Sequence, residues 1–451
     1  MIGSKILSDT AEIELLQHET FNYFLQEANP VNGLVVDKTA SNWPASIAAT
    51  GLALAAYPVG VERGFMPRAA AVVRTLNTLR FFEGSAQGPG SDATGYRGFY
   101  YHFLDMHTGR RAWKCELSTI DTALLLAGAL TAAVYYNADT DDEREIRALA
   151  HTLYCRADWQ WAQNGGATVT HGWKPESGFL TYRWQGYDEA MLLYILGLGS
   201  PTHPLPESCY AAWSSTYLWE QANGFDYIYA GPLFVHQLSH VWIDFRGIQD
   251  GYMRIKGIDY FENSRRATYV QQRYAIDNLL NFVGYGENCW GVTASDGPGP
   301  SSMKVNGVMR QFFNYLGRGV PNGPDDGTIA PWAVVASLPF APEIVLPTIR
   351  YLVNDVCLKM GNAYGFKATF NPTYPARSGN PNGWVSPWHY GINQGPIVLM
   401  IENYRSGLLW QLMRNCSYIT RGIQRAGFEG GWLGAPKVGQ ETVNSENVNK
   451  R

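Results

Sequence analysis

The sequence predicts an all-α protein whose helices close into an (α/α)6 toroid, with long rim loops and short β hairpins, and three observations lead there. A small, apolar helix followed by a longer amphipathic one recurs six times along the chain. Hydrophobic residues make up 46% of the 451 residues and charged residues 16%, ample for a large buried core. Long segments rich in Gly, Pro and aromatic residues interrupt the pairs irregularly, whereas an open solenoid would keep a fixed period.

The first pair joins Ala45–Ala56 to Pro67–Phe82, and the second joins Asp121–Tyr136 to Asp141–Trp161, opened by a capping box at Thr140 and Glu143. The third runs from Asp188 to Leu198, where Gly199-Ser200-Pro201 stops it, and resumes over Glu207–Gln221. The fourth pairs His236–Phe245 with Tyr260–Asn281, the fifth Ile329–Leu338 with Pro342–Asp355, and the sixth Gln394–Tyr404 with Gly407–Arg421. A helix that is apolar nearly all round must be buried, and one with a charged face can lie outside, so each pair supplies one inner and one outer helix. The insertions Gly95–Trp113, Tyr285–Asn322 and Phe370–Ile392 then form loops at one rim, where a substrate cleft is expected. Residues 1–430 read as a single catalytic domain and 431–451 as a poorly ordered tail.

Composition narrows the partners. With 35 basic and 39 acidic residues the chain has no basic stripe for nucleic acid. No apolar run approaches the roughly 20 residues that cross a bilayer, and the first residues lack the apolar core of a signal peptide, so the chain as it stands reads as cytoplasmic, or as periplasmic or secreted if a leader has been removed. Six widely spaced Cys, with no C-x-x-C pair, read as reduced, buried thiols. The 15 Trp and 27 Tyr exceed what a core requires, and flat amphipathic rings suit sugars. An oligo- or polysaccharide is therefore the expected partner, with no cofactor and no metal.

Glycosidic cleavage needs one carboxylic acid to protonate the leaving oxygen and one carboxylate to activate water or attack carbon. Glu189 precedes Leu192, Leu193 and Leu196 by three, four and seven residues, which places it on the apolar face at an inner-helix start and marks it as the acid. Its neighbour Asp188 reads as a helix-start charge. Asp121 has the same setting beside Leu124 and Leu125 and is the provisional second carboxylate, with Glu116 just upstream; capping by Ser118 or Thr119 and a dipole role for Asp121 explain these residues equally well. His236 and His240 have the spacing of a shared metal site but no H-E-x-x-H and no third ligand, so they read as sugar contacts. The stretch Trp290–Pro300 reads as a binding loop, and Asp325-Asp326-Gly327 as a turn and N-cap.

Seven ordered blocks, STIDTALLLAG, WQGYDEAMLLYILGLGSPTHP, GPLFVHQLSHVWIDFRG, DYFENSRRAT, WGVTASDGPGP, DGTIAPWAVVASLPFAPE and GINQGPIVLMIENYRSGLLW, resemble the glycoamylase-like domain family, which includes glycoside hydrolase family 144. The resemblance spans Leu15 to Phe428 and implies an (α/α)6 barrel, metal-free hydrolysis of β-1,2-glucan or its oligosaccharides with inversion, and Glu189 as the general acid. The family's base is expected in a block like G-I-D-Q-G-P, where this chain carries Asn393, and an amide cannot accept that proton. The resemblance therefore leaves the base to come from elsewhere, such as Asp121 or Asp296, or implies a different mechanism. On this reading Arg183, Tyr187, His236, Arg266, Trp290, Asp296, Trp388 and Asn393 are expected to line the sugar cleft. Two rival readings remain: a sugar epimerase using His236 and His240, and a glucan-binding protein without catalysis, which Asn393 motivates.

Overall fold

Helices that are apolar on every side account for the centre of the computed structural model, which describes residues 8–375 and 380–434. Helix α1 (Asp9–Gln26) lies outside, α2 (Ile47–Glu62) inside, α3 (Arg68–Gly84) outside, α4 (Thr119–Tyr135) inside and α5 (Asp141–Arg156) outside. The short α6 (Trp159–Gln163) precedes the inner α7 (Met191–Gly199), the outer α8 (Glu207–Ser214) and a short α9 (Gly251–Lys256). The outer α10 (Tyr260–Asp277), inner α11 (Pro331–Ala336), outer α12 (Pro342–Asn354) and inner α13 (Gly391–Arg405) complete the ring, and α14 (Leu408–Arg414) and α15 (Ser417–Arg425) follow. In α2 every residue from Ile47 to Gly60 is buried, and in α4 every residue from Thr119 to Ala132, so neither helix has a face to offer solvent. Of the expected capping box only one half forms: the Thr140 hydroxyl accepts from the Glu143 N–H at 3.3 Å, whereas the Glu143 carboxylate accepts from the Ala138 N–H and from Arg68 instead of from Thr140.

The ring closes through α1. This helix packs on α13 and α2, which makes it an outer helix that the six-hairpin reading does not include. The order along the chain is consequently outer then inner. The segment Gly407–Arg421, expected as the sixth outer helix, instead breaks into α14 and α15, which pack on the inner α4 and α7. Glycine makes that packing possible: a Cβ at Gly422 would overlap the backbone of Ile195, and one at Gly199 would overlap Tyr418.

Two further segments depart from expectation. The fourth inner element is a pair of 3-10 turns, Leu233–His236 and Leu238–Val241, rather than a helix over His236–Phe245. The segment after α8 turns into a hairpin, Trp219–Ala222 with Phe225–Ile228, because exposed Asn223 and Gly224 both take positive φ. The rim also carries a five-stranded antiparallel sheet, in the order Gly95–Tyr96, Phe99–Tyr101, Leu117–Ser118, Gly172–Lys174 and Gly178–Phe179. It fastens three rim loops to the start of α4.

A buried ion pair braces the long loop before α11. Arg318 and Asp326 are both fully buried, and the guanidinium also donates to the carbonyls of Ser295, Phe313 and Asn314. Asp326 is thus the anchor of the loop rather than a cap of α11, whose N-cap is Ala330. The expected tail falls mainly on residues 435–451, outside the described residues. All six cysteines are unpaired, but only Cys115, Cys209, Cys289 and Cys416 are buried as expected, since Cys155 is half-buried and Cys357 exposed; among the described residues no helix is long and apolar enough to cross a membrane.

The tightest inner contact joins α2 to α4, where a Cβ at Gly128 would meet the Gly51 carbonyl oxygen at 2.0 Å and one at Gly51 would meet the Leu124 carbonyl at 2.5 Å. Overpacking of this kind costs about 1–3 kcal/mol or more. Gly128→Ala is therefore expected to lower the unfolding free energy by about 2 kcal/mol or more, as read by denaturant titration, whereas Ala129→Gly on the same helix removes only one buried methyl group and leaves the crossing intact.

Candidate active site

All six inner elements point their N-terminal ends into one cavity of about 540 Å³. Ser46 reaches it from the cap of α2, Ser118, Ile120 and Asp121 from α4, Glu189 from the turn before α7, and Phe234 and Leu238 from the 3-10 turns. Trp332 reaches it from α11, and Ile392 and Asn393 from α13. The positive ends of these elements therefore face the same space, which favours carboxylates there, while several of their first N–H groups are already taken: those of Ile47, Thr119 and Gly391 by the carbonyls of His102, His171 and Asp37, and that of Leu192 by the Ser239 hydroxyl. Four carboxylates line it, Asp37, Glu116, Asp121 and Glu189, together with the cations Lys38 and His102.

Glu189 sits two residues ahead of α7 rather than in its first turn, because the helix starts only at Met191. Its backbone carbonyl accepts from the Ser239 hydroxyl at 3.4 Å, and no other described residue gives its carboxyl a hydrogen bond or ion pair, its own backbone N–H alone acting to lower the pKa. The residue is partly accessible at the cavity surface, yet protein encloses its carboxyl closely enough to raise the pKa. Burial is the first cause, and the adjacent charges of Asp188 and then Asp121 add to it. Asp188 is turned away and satisfied: it accepts from the Ala190 N–H at 3.0 Å and from the Trp213 indole at 2.9 Å.

Beside Glu189, at the start of the adjoining α4, lies a charged network. His102 lies within hydrogen-bond distance of Glu116, at 2.8 Å, and its other nitrogen lies 3.7 Å from Asp121. Burial works against a charge on this imidazole, but Asp121 and Glu116 outweigh it and push the pKa up to about 9, so His102 is a cation at neutral pH. Asp121 also accepts from Ser118 Oγ at 2.5 Å. Aromatic rings surround the charges. Lys38 Nζ stands 3.9 Å over the Trp43 ring and 5.3 Å from that of Tyr390, Trp113 meets Trp43 edge-on at 4.7 Å, and His171 stacks on Trp184 at 3.8 Å. Tyr315, 62% exposed, completes the lining from the loop that Arg318 braces.

Of the residues expected at the site, the structure brings together Glu189, Asp121, Glu116 and Asn393. Trp388 borders them, its ring 5.6 Å from Lys38 Nζ. Asp296 lies behind the lining with both carboxylate oxygens taken, by Thr369 Oγ1 at 2.7 Å and Ser386 Oγ at 2.6 Å. The others are elsewhere. His236 and His240 face α10, where they meet Asn263 and Ser264, because the cavity side of the 3-10 turns falls at Phe234 and Leu238, two residues out of phase. Burial lowers both imidazoles, to about 4 and about 3, so both are neutral. Tyr187 packs among Tyr217, His236 and Tyr260. Arg183 holds the carbonyls of Gln163 and Thr168, Arg266 pairs with Glu262 on the outer α10, and the Trp290 indole donates to Thr348 on the outer α12. None of these six lines the cavity. No cluster of three potential metal ligands occurs among the described residues.

Sequence reasoning missed Asp37, Lys38, Trp43, His102, Trp113, His171, Tyr315 and Tyr390, all from turns or rim strands. A usable signal was the acid-cation pair Asp37-Lys38 shortly before the first apolar helix, a placement like that of Glu116 before α4 and Glu189 before α7.

The family model for glycoamylases, described as "Putative glucoamylase", matches residues 181–417. A crystal structure from Bacteroides uniformis ATCC 8492 described in the same words has a TM-score of 0.84 at 32% identity, covering 95% of this chain and 100% of that one. An endo-β-1,2-glucanase from Chitinophaga pinensis, solved with sophorotriose and glucose, has a TM-score of 0.80 at 26% identity, covering 94% and 99%. An exo β-1,2-glucooligosaccharide sophorohydrolase (non-reducing end) from Parabacteroides distasonis is 29% identical over 453 residues, which cover 93% of this chain and 58% of that protein. The chain thus spans little more than half the length of that curated relative. With its helical ring, its cavity at the inner-helix N-termini and these matches, the chain belongs to the glycoamylase family.

Proposed function

We propose that the protein is a glycoside hydrolase that cleaves β-1,2-glucan or its oligosaccharides with inversion, and that Glu189 is its general acid. The observation that carries this reading is the Glu189 carboxyl: enclosed, without a partner from any other described residue, and held protonated near neutral pH by burial and by Asp188. Such a group can give a proton to a bridging oxygen, whereas an ion-paired carboxylate cannot. The relatives named above supply the substrate class, and a cavity walled by Trp43, Trp113, Trp184, Tyr315 and Tyr390 offers the flat faces that sugar rings pack against. Glu116, Asp121 and Asn393 line it as candidate hydroxyl partners, and the second carboxylate comes from the acidic wall around His102, in which Asp121 and Asp37 both stand.

A glucan-binding protein without turnover is the second reading, favoured by Asn393, whose amide faces the cavity where a carboxylate was expected. The epimerase reading loses its motivation, since His236 and His240 point to α10.

Incubation with linear β-1,2-glucan is expected to shorten the chains and release new reducing ends; binding without new ends favours the second reading instead. Glu189→Gln is expected to lower kcat by about 10²–10⁴ while leaving the dissociation constant for the glucan within a few-fold, and wild-type turnover by this variant rejects the acid assignment. The sign of the pH dependence follows from the raised Glu189 pKa. The acid form survives above the ordinary carboxyl range, and kcat/KM falls only as pH rises past the raised value. Asp188→Asn removes one of the charges that raises it, so the alkaline limb is expected to move to lower pH; an unmoved limb means another group sets it.

A further inference from the structure

Asp37 is the one cavity carboxylate that no sequence pattern singled out, and its setting differs from the other three. Trp43 Nε1 donates to Oδ2 at 3.0 Å, and no donor among the described residues reaches Oδ1. Glu116 and Asp121 are committed to His102, and Asp121 also to Ser118, so their charge is already met by a cation. Asp296 has both oxygens occupied and stands outside the lining. Asn393 has no basic oxygen of the required kind.

The backbone fixes where Asp37 stands. Its carbonyl accepts from the Gly391 N–H at 2.8 Å and from the Tyr23 hydroxyl at 3.2 Å, and its own N–H donates to the Pro44 carbonyl at 2.8 Å. Gly391 is the first residue of α13, and Asn393 is two residues further on, so the Asp37 loop is fastened to the same helix turn that brings the amide to the cavity. The bridge between Lys38 and Tyr390 extends this seam by one more residue pair. The seam fastens the loop that bears Asp37 to the helix turn that bears Asn393, and both side chains line the same cavity.

On the hydrolase reading, we propose that Asp37 is the general base of the reaction. It takes a proton from the attacking water as the water oxygen bonds to the anomeric carbon. The bond from that carbon to the bridging oxygen breaks, and the bridging oxygen takes the proton of Glu189. Solvent then returns the pair to its starting state, with Asp37 ionised and Glu189 protonated. Burial pushes the Asp37 carboxyl up, against the lowering effects of the Trp43 hydrogen bond, His102 and Lys38, which makes it a better proton acceptor than an exposed aspartate. Asp121 acts on both catalytic carboxyls through its charge, raising Asp37 and Glu189 alike.

The test compares the wild type with Asp37→Asn, Asp37→Gly and Asp121→Gly on a linear β-1,2-glucan oligosaccharide, with and without sodium azide. Asp37→Asn keeps an oxygen to accept from Trp43, so an unchanged melting temperature separates a chemical role from a structural one. The expected result is a kcat loss of about 10²–10⁴ in Asp37→Asn, and azide-dependent turnover of Asp37→Gly that releases a glycosyl azide of inverted configuration. Recovery by azide also shows that the glycine variant is folded. The assignment is overturned by Asp37→Asn turning over at a rate close to that of the wild type, by a loss confined to KM, by azide rescuing Asp121→Gly instead, or by azide rescuing neither. Absence of turnover by the wild type itself overturns the hydrolase reading and this assignment with it, and is told apart by needing no variant.

Discussion

The convergence of six inner-element N-termini on one cavity is the constraint from which the rest of the site follows. Each terminus presents backbone N–H groups with no intrahelical partner, and their summed field makes the space favourable for negative charge. Asp37, Glu116, Asp121 and Glu189 can therefore share about 540 Å³ with only Lys38 and His102 to balance them. The same crowding keeps the carboxyls from behaving alike. Glu189, which no other described residue pairs, is driven toward its neutral form, and Glu116 beside the His102 cation is held as an anion. Two chemical roles for like residues thus arise from burial and from a single imidazole.

The convergence in turn depends on how closely the inner helices can approach. Gly51 and Gly128 let α2 and α4 touch backbone to backbone, and Gly422 and Gly199 let α15 lie against α7. Outer helices α1, α3 and α5 then cover the apolar flanks with side chains whose charged ends pair across the surface, as Arg68 does with Glu143. Rim segments are held by different means. Short strands fasten the loops near α4, the buried Arg318–Asp326 pair holds the loop bearing Tyr315, and the Asp37–Gly391 contact ties the first rim loop to the last inner helix.

Much of the ring was legible because it obeys a period. The largely apolar α2, α4 and α7 could only be interior, and acids placed at the starts of such helices, Glu189 and Asp121, fall at the cavity as the pattern implies. What was not legible lacks a period. His236 and His240 misled because a helix was assumed where the chain makes two 3-10 turns, which sends those side chains outward and Phe234 and Leu238 inward. Arg266 and Trp290 carry the residue types of a sugar site, yet they serve the outer layer by pairing with Glu262 and Thr348. Asp37, His102 and Tyr315 arrive from segments far apart in the chain, joined only by tertiary contacts such as His102 with Asp121. No local pattern encodes that meeting.

Catalysis of this kind requires Glu189 to reach the bridging oxygen of a bound glucan. A crystal structure of Glu189→Gln with a β-1,2-linked oligosaccharide tests this directly. The predicted result is a glycosidic oxygen about 2.6–3.2 Å from the side-chain amide of the substituted residue, with the flanking sugar rings inside the cavity bounded by Trp43, His102 and Tyr315. An oligosaccharide seated outside that cavity, or one whose glycosidic oxygens all lie beyond reach of that side chain, would contradict it.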